Sequence, residues 1–256
     1  LAATARACGL GFGVKFSNTL IVTHDGDFLP GSEREKYLSG APLHVLAMNL
    51  VARLRERFGV AVPISFSAGI DRASFADALA LGLVPVTVCS DLLKPGGYGR
   101  QRTYFDALLA RMDAVGATDI DGFVLRAAGQ AEAAFVNCGG NAQVARAALA
   151  GADPRAAVGA AMYDRWVAET ALLNTAPYVA AATGDARYRL DANRKPPKKI
   201  GSTLVLFDCV TCDKCIPVCP NAANFVLVLA AREIPIQHVR SEGVGFVVRE
   251  AGSLVL

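Results

Sequence analysis

Apolar and polar positions alternate with two periods along the first half of the chain. Residues 12–22 (Phe-Gly-Val-Lys-Phe-Ser-Asn-Thr-Leu-Ile-Val) read as a strand that runs into a polar loop holding His24-Asp25-Gly26-Asp27 and Pro30-Gly31. From 42 to 58 the apolar positions Leu43, Leu46, Leu50, Val51 and Leu54 follow a helical period. Pro42 suits the first turn of that helix and Gly59 its carboxyl-terminal cap. A second strand is expected over 61–67. Asp71 then caps a helix from about Ala73 to Leu81, and Val84 to Cys89 reads as a third strand. Pro95-Gly96-Gly97 breaks the chain before a helix over roughly Arg100 to Val115.

This is a strand–loop–helix unit repeated three times, with continuous apolar strands that suit a parallel sheet covered on both faces. Three strands neither close a barrel nor cover a sheet, so further strands are expected upstream of Leu1. Residues 116–200 are Ala-rich and helical in bias, with turns at Gly139-Gly140 and Asp153-Pro154, and read as a helical connector. Cys138 within it reads as a small buried residue, not a ligand. From Gly201 the pattern shortens to strands: Thr203 to Phe207, Asn224 to Leu229, 233–239 and 244–249.

The sharpest signal lies among these strands. Cys209-Val-Thr-Cys212-Asp-Lys-Cys215-Ile-Pro-Val-Cys219-Pro220 has the C-x2-C-x2-C-x3-C-P spacing of bacterial ferredoxins. Two intervening residues let the chain wrap a cuboidal cluster so that three thiolates reach three irons. Loop N–H groups then stabilise its negative charge. The alternative is zinc, which prefers two separated C-x2-C pairs, often with His. Four cysteines within eleven residues and no nearby His favour a [4Fe–4S] cluster. In two-cluster ferredoxins the Cys before Pro serves the other cluster. Cys219 would then need a second such run, expected beyond Leu256. The other arrangement closes one cluster with all four thiolates, and the two-cluster arrangement is preferred.

Composition narrows the class. The 256-residue chain is 53% hydrophobic and 19% charged, which supports a packed core over disorder. A net charge of +3 argues against a nucleic-acid partner, and the run 194–199 (Arg-Lys-Pro-Pro-Lys-Lys) reads as a solvated linker. No apolar window reaches the roughly 18 residues of a membrane span, and no signal peptide is visible. Clustered cysteines in place of a disulfide framework point to a reducing, cytoplasmic setting. The chain starts with Leu and stops in a strand-like run, so it is expected to be a piece of a longer polypeptide.

Ser67-Ala68-Gly69-Ile70-Asp71 follows a strand and precedes a helix, where N–H groups can hold a phosphate. Cys89-Ser90 at the next strand end could complete the site, although an ordinary tight turn has the same sequence appearance. His24 beside Asp25 and Asp27 reads as a polar turn, His44 as a surface or capping residue, and His238 as strand surface.

Four segments carry a resemblance: 13–20 (Gly-Val-Lys-Phe-Ser-Asn-Thr-Leu), 37–40 (Tyr-Leu-Ser-Gly), 67–71 and 86–90 (Val-Thr-Val-Cys-Ser). Together they resemble the last three strands of a dihydroorotate dehydrogenase-like barrel, in the order found in the barrel half of dihydropyrimidine dehydrogenase. Asp91-Leu92-Leu93-Lys94-Pro95-Gly96-Gly97-Tyr98 is similar to the same segment of the selenate reductase subunit group, itself related to glutamate synthase small chains. The resemblance implies a partial α/β TIM barrel over 1–115, the connector over 116–200, and a small α+β ferredoxin-like iron–sulfur module over 201–256. It also implies an oxidoreductase in which electrons pass between an FAD and NAD(P)H module, [4Fe–4S] clusters and a flavin mononucleotide (FMN) in the barrel. By that likeness Asn18 and Thr19 face the flavin or substrate and Gly40 touches the flavin through its backbone. Gly69, Cys89 and Ser90 hold the phosphate, and Lys15 either neutralises the reduced flavin or stands in solvent. The alternative is a non-catalytic electron-transfer subunit whose barrel is a scaffold, the feature behind it being Ala68 where such barrels usually have Gly. No catalytic base is assignable.

Overall fold

The computed structural model describes residues 1–23, 35–94, 96–193, 233–242 and 245–255. Leu1–Asp208 and Cys209–Leu256 form two compact units. The four cluster cysteines, His24 with its neighbouring aspartates, and the strands expected over 203–207 and 224–229 lie outside the described residues.

The first unit begins with helix α1 (Ala2–Ala7), followed by β1 (Val14–Phe16), β2 (Leu20–Thr23), β3 (Glu35–Leu38) and α2 (Ala41–Phe58). Then come β4 (Ile64–Phe66), α3 (Phe75–Ala80) and α4 (Arg100–Ala114). The strand expected over 12–22 divides at Ser17-Asn18-Thr19. β1 pairs parallel with β4, Val14 opposite Ile64 and Phe16 opposite Phe66, whereas β2 pairs antiparallel with β3. The division follows burial. Val14 and Phe16 pack on the core, but Leu20, Ile21 and Thr23 face solvent. β4 is shorter than expected because Pro63 has no N–H to extend the ladder; its carbonyl instead accepts from Val14 N at 3.0 Å.

The third strand is reduced to a parallel bridge between Val86 and Phe66. Its hydrogen bonds remain around Pro85: Val84 N donates to Ile64 O (3.1 Å), Phe66 N to Pro85 O (3.0 Å) and Thr87 N to Phe66 O (2.8 Å). β4 therefore sits between two parallel neighbours, and Ile64 and Phe66 are buried at its centre.

α2 forms where the period placed it, with Pro42 in the first turn and Gly59 closing it through an N–H to Arg55 O (2.8 Å). Its buried stripe is rotated from the expected one. Leu43, Ala47, Met48 and Val51 are buried with His44 and Arg55, while Leu46 and Leu50 are nearly half exposed. His44, expected at the surface, is fully buried. Both polar residues are drawn inward by partners far along the chain. Asp71 does not cap α3 directly. Its carboxylate accepts from Ala73 N (2.9 Å) and Ser74 N (3.0 Å), closing a tight turn from which α3 starts at Phe75, later than the expected Ala73.

Among the described residues six α-helices follow: α5 (Ile120–Arg126), α6 (Ala131–Asn137), α7 (Ala142–Ala150), α8 (Pro154–Val158), α9 (Ala160–Gly184) and α10 (Leu190–Asn193). Asp153 and Asn141 accept from helix N–H groups at the starts of α8 and α7, as their residue types dictate. Trp166 of α9 centres a core with Leu125, Phe135 and Tyr163, and its indole N–H donates to Ala131 O at 2.7 Å. Cys138 is half-buried, and burial pushes its thiol up.

α9 packs against α2, α3 and α5. Asn174 donates to Ala80 O (2.9 Å) and Val124 O (3.0 Å); Arg55 donates to Ala171 O (2.9 Å), Thr175 Oγ1 (2.5 Å) and Leu81 O (2.6 Å). The last turn of α3 leaves carbonyls without helical partners, and these two side chains satisfy them. In the second unit β5 (Glu233–Glu242) and β6 (Gly245–Val255) form an antiparallel hairpin with a register shift at Ile236/Gln237, and His238 is exposed there as expected. No helix among the described residues is long and apolar enough to cross a membrane.

Because Asn174 faces two carbonyl acceptors, Asn174→Ala is expected to cost about 2 kcal/mol of folding stability. Asn174→Asp is expected to cost more, since a carboxylate cannot donate to either. Urea denaturation of the two variants beside the wild type measures the order.

Candidate functional site

The carboxyl ends of β1 and β4 and the segment after Val86 open onto one cleft of about 660 Å³. That volume is in the range of small-molecule sites, roughly 300–1,000 Å³. In β/α barrels, ligands bind at this end of the strands. Asn18, Thr19, Gly40, Gly69, Cys89 and Ser90 all line it, although they are spread over more than seventy residues of sequence. Lys15 is not among the lining residues; it lies within β1 opposite Ser65, and its side chain is exposed. The cleft also takes in Ser17, Ser39, Asp71, Asp91, Lys94 and Asn193.

Each wall has a local cause. The chain leaves the sheet after Phe16 through a cis Phe16–Ser17 peptide, and Asn18 turns its carboxamide oxygen to Thr19 N at 2.9 Å. Gly40 (φ 72°) is the cap residue of α2, so the positive end of an 18-residue helix faces the cleft. Gly69 has φ 55°, and a Cβ there would stand 2.4 Å from Gly40 O. Glycine at 69 is therefore demanded by the approach of the two loops to each other, besides any ligand. The Ala68 side chain belongs to the hydrophobic core, and its carbonyl accepts from the His44 ring at 2.8 Å.

The loop bearing Cys89 and Ser90 is anchored by Asp91, which is buried. Arg100 grips its two carboxylate oxygens from Nε (3.0 Å) and Nη2 (3.1 Å), Lys94 Nζ donates at 2.8 Å and the Tyr104 hydroxyl at 2.5 Å. Burial pushes the carboxyl up, but the bonds from Arg100, Lys94 and Tyr104 overcome it and hold the group at about 2. Asp91 and Lys94 belong to a segment noticed for its resemblance, yet their pairing was not read from it; an acid and a base three apart was the available signal. Cys89 carries a free, exposed thiol. Ser17 also lines the cleft, and its Oγ is buried without a hydrogen-bond partner.

Residues 1–135 match the family described as oxidoreductase YgfK, N-terminal TIM-barrel domain. The chain belongs to this family. The parallel strands and the cleft at their carboxyl ends are thus part of a YgfK-type TIM barrel. The chain is 43% identical over 100 residues to the protein named "Putative oxidoreductase YgfK" in Escherichia coli (strain K12), and equally to its namesake in Escherichia coli O157:H7. The match takes in 39% of this chain and 10% of each relative, so the chain spans about a tenth of the length of the curated relatives it matches. No solved structure matches. The YgfK family places the expected oxidoreductase likeness at the level of this barrel. Among the described residues no three His, Cys, Asp or Glu side chains converge as a metal site, and the cysteine run lies outside them.

The Asp91 network sets an acid limit on stability. Its folded value near 2 lies below the ordinary 3.8, so its contribution is complete above about pH 4 and disappears as pH falls toward 2. Asp91→Asn is expected to lose about 2 kcal/mol at neutral pH and to flatten the stability profile between those limits. Urea unfolding across that range, read for both proteins, checks the sign.

Proposed function

We propose that this chain is part of an iron–sulfur flavoprotein oxidoreductase of the selenate reductase subunit and glutamate synthase type. In this reading electrons pass between an FAD and NAD(P)H module and a flavin site in the barrel, by way of [4Fe–4S] clusters. The observation that carries the reading is the C-x2-C-x2-C-x3-C-P spacing at Cys209, Cys212, Cys215 and Cys219, in a chain whose first half belongs to an oxidoreductase barrel family. Bound flavin would exchange two electrons with a substrate and single electrons with a cluster. The reductase module is a partner domain or subunit, and the substrate is a small molecule.

The cleft residues fit a phosphate-bearing planar cofactor. The Ser90 hydroxyl, the backbone at Gly40 and Gly69 and the amino end of α2 supply donors and positive potential for a phosphate. Cys89 lies on the same wall. Asn18 and Thr19 offer a carboxamide and a hydroxyl to a ring or to substrate. Asp91, through Arg100 and Tyr104, fixes the loop that carries Cys89 and Ser90. Lys15 has no part in this arrangement unless the protein places more chain against β1.

A second reading is a non-catalytic electron-transfer subunit with a scaffold barrel. Two observations favour it: Gly69 is already explained by the Gly40 carbonyl, and Lys94, tied to Asp91, is the lone cation among the described lining residues.

Anaerobic reconstitution of the chain with ferrous iron and sulfide tests the cluster. The expected product holds about four irons per chain and gives a reduced-cluster paramagnetic signal, both lost in Cys215→Ala. Zinc retained in place of iron would sink the iron–sulfur reading. Quenching of FMN fluorescence by the same protein separates the two barrel readings. Binding that is weakened in Ser90→Ala, which leaves the approach of Gly69 to Gly40 intact, supports the flavin site, and absence of quenching supports the scaffold.

A further inference from the structure

His44 joins three parts of the fold that are far apart in sequence. Its Nδ1 lies 2.8 Å from the Ala68 carbonyl oxygen and its Nε2 lies 2.7 Å from the Tyr178 hydroxyl, 134 residues away. A carbonyl oxygen only accepts, so Nδ1 carries the proton. In the neutral ring Nε2 is then the acceptor, and Tyr178 donates. The ring stacks on Tyr188 (centroids 5.0 Å, planes 14° apart) and meets the edge of Phe66 at 5.5 Å. Packing and both hydrogen bonds leave it one orientation.

Ala68 sits between Ser67 and Gly69, and all three line the cleft. In the same loop the Gly69 carbonyl accepts from Ser74 Oγ at 3.4 Å, and Gly40 O occupies the space that a Cβ on Gly69 would take. His44 is thus the side chain that ties the loop from behind, and Tyr178 of α9 ties His44.

We propose that His44 is a positioning residue through which α9 sets the cleft loop Ser67–Asp71, by way of the chain Tyr178 hydroxyl, His44 Nε2, His44 Nδ1–H and Ala68 carbonyl. Ser17, Gly40 and Ser90 reach the cleft from their own strands and loops; this loop follows β4 and is held in addition by a helix outside the three βα units. The coupling works with the neutral ring. Protonation adds a second N–H on Nε2, aimed at the Tyr178 oxygen, and a charge in a buried site. The groups facing that charge are Tyr178 on α9, Arg187 and Tyr188 in the turn after α9, Asp71 in the loop itself and Asp77 on α3. Burial and Arg187 oppose the charge, whereas Asp71 and Asp77 favour it.

Hydrogen–deuterium exchange on the full chain tests this without any ligand, so the outcome is independent of whether the cleft takes flavin. Near pH 7.5, Tyr178→Phe and His44→Phe are expected to speed exchange of the 67–74 segment about tenfold, with α7 unchanged. His44→Asn, whose amide nitrogen stands where Nδ1 was, is expected to stay within about threefold of the wild type. Lowering to about pH 5 is expected to loosen 67–74 in the wild type after correction for intrinsic rates, and to leave His44→Asn flat. Unchanged exchange at 67–74 in both Phe variants would overturn the proposal. So would an equal rise over α7, which would signal general destabilisation, or a His44→Asn variant as loose as His44→Phe.

Discussion

The first unit depends on a small set of donors that reach the open carbonyls of α3. A six-residue helix has few internal hydrogen bonds and leaves the carbonyls of its last turn without partners. Burying those carbonyls in an apolar core would be costly unless something donates to them. Arg55 from α2 takes Leu81 O and Asn174 from α9 takes Ala80 O. The same two side chains hold Ala171 O and Val124 O, so four helices share one polar seam inside the apolar core. Arg55 is buried with no carboxylate beside it among its described partners. Carbonyl and hydroxyl oxygens meet its two terminal nitrogens, Nε is buried without a partner, and desolvation lowers its value to about 10, still far above neutral pH.

The seam explains why the cleft lies where it does. α2 is fixed at its carboxyl end by Arg55 and near its amino end by His44, which leaves Gly40 facing the strand ends. β4, flanked on both sides, places Ser67–Asp71 opposite. Asp91 closes the third wall independently, through α4, by a buried carboxylate that three donors hold ionised. Two anchoring systems of different chemistry therefore shape one cavity: a seam in which a guanidinium, an imidazole and an amide meet carbonyl and hydroxyl groups, and an ionic one around a single aspartate.

What was legible in the sequence was whatever is encoded locally. The period of α2, its Pro42 and Gly59, the start of α8 at Asp153-Pro154 and the parallel strand–helix repeat all follow from neighbours within a turn or two. Ser67–Asp71 and Cys89-Ser90 were legible because they follow strands, which a repeat pattern locates, whereas Asn18, Thr19 and Gly40 came from the family resemblance. His44, Arg55 and Asn174 were not legible as buried, because the partners that satisfy them are up to 134 residues away. Polar residue type predicted exposure for His44, and long-range hydrogen bonding overrode it. The rotation of α2 has the same origin: a stripe drawn through leucines alone leads through Leu46 and Leu50, while the helix turns its polar pair toward α9. The strand over 84–89 was longer in pattern than in hydrogen bonding because Pro85 interrupts donation.

The dependence on α9 bears on how this barrel segment can be cut for study. The family likeness ends at residue 135, but Asn174, Thr175 and Tyr178 lie well beyond it. A clone stopped at the family boundary would retain every cleft residue named from sequence. It would also bare Val51 and Leu81 on the face that α9 covers, strand the Arg55 guanidinium and leave the His44 ring nitrogen without its hydroxyl. Such a piece has the recognisable sequence of the barrel and lacks part of its interior. The workable unit for expression runs at least through Tyr188, where the last ring of the His44 stack is supplied.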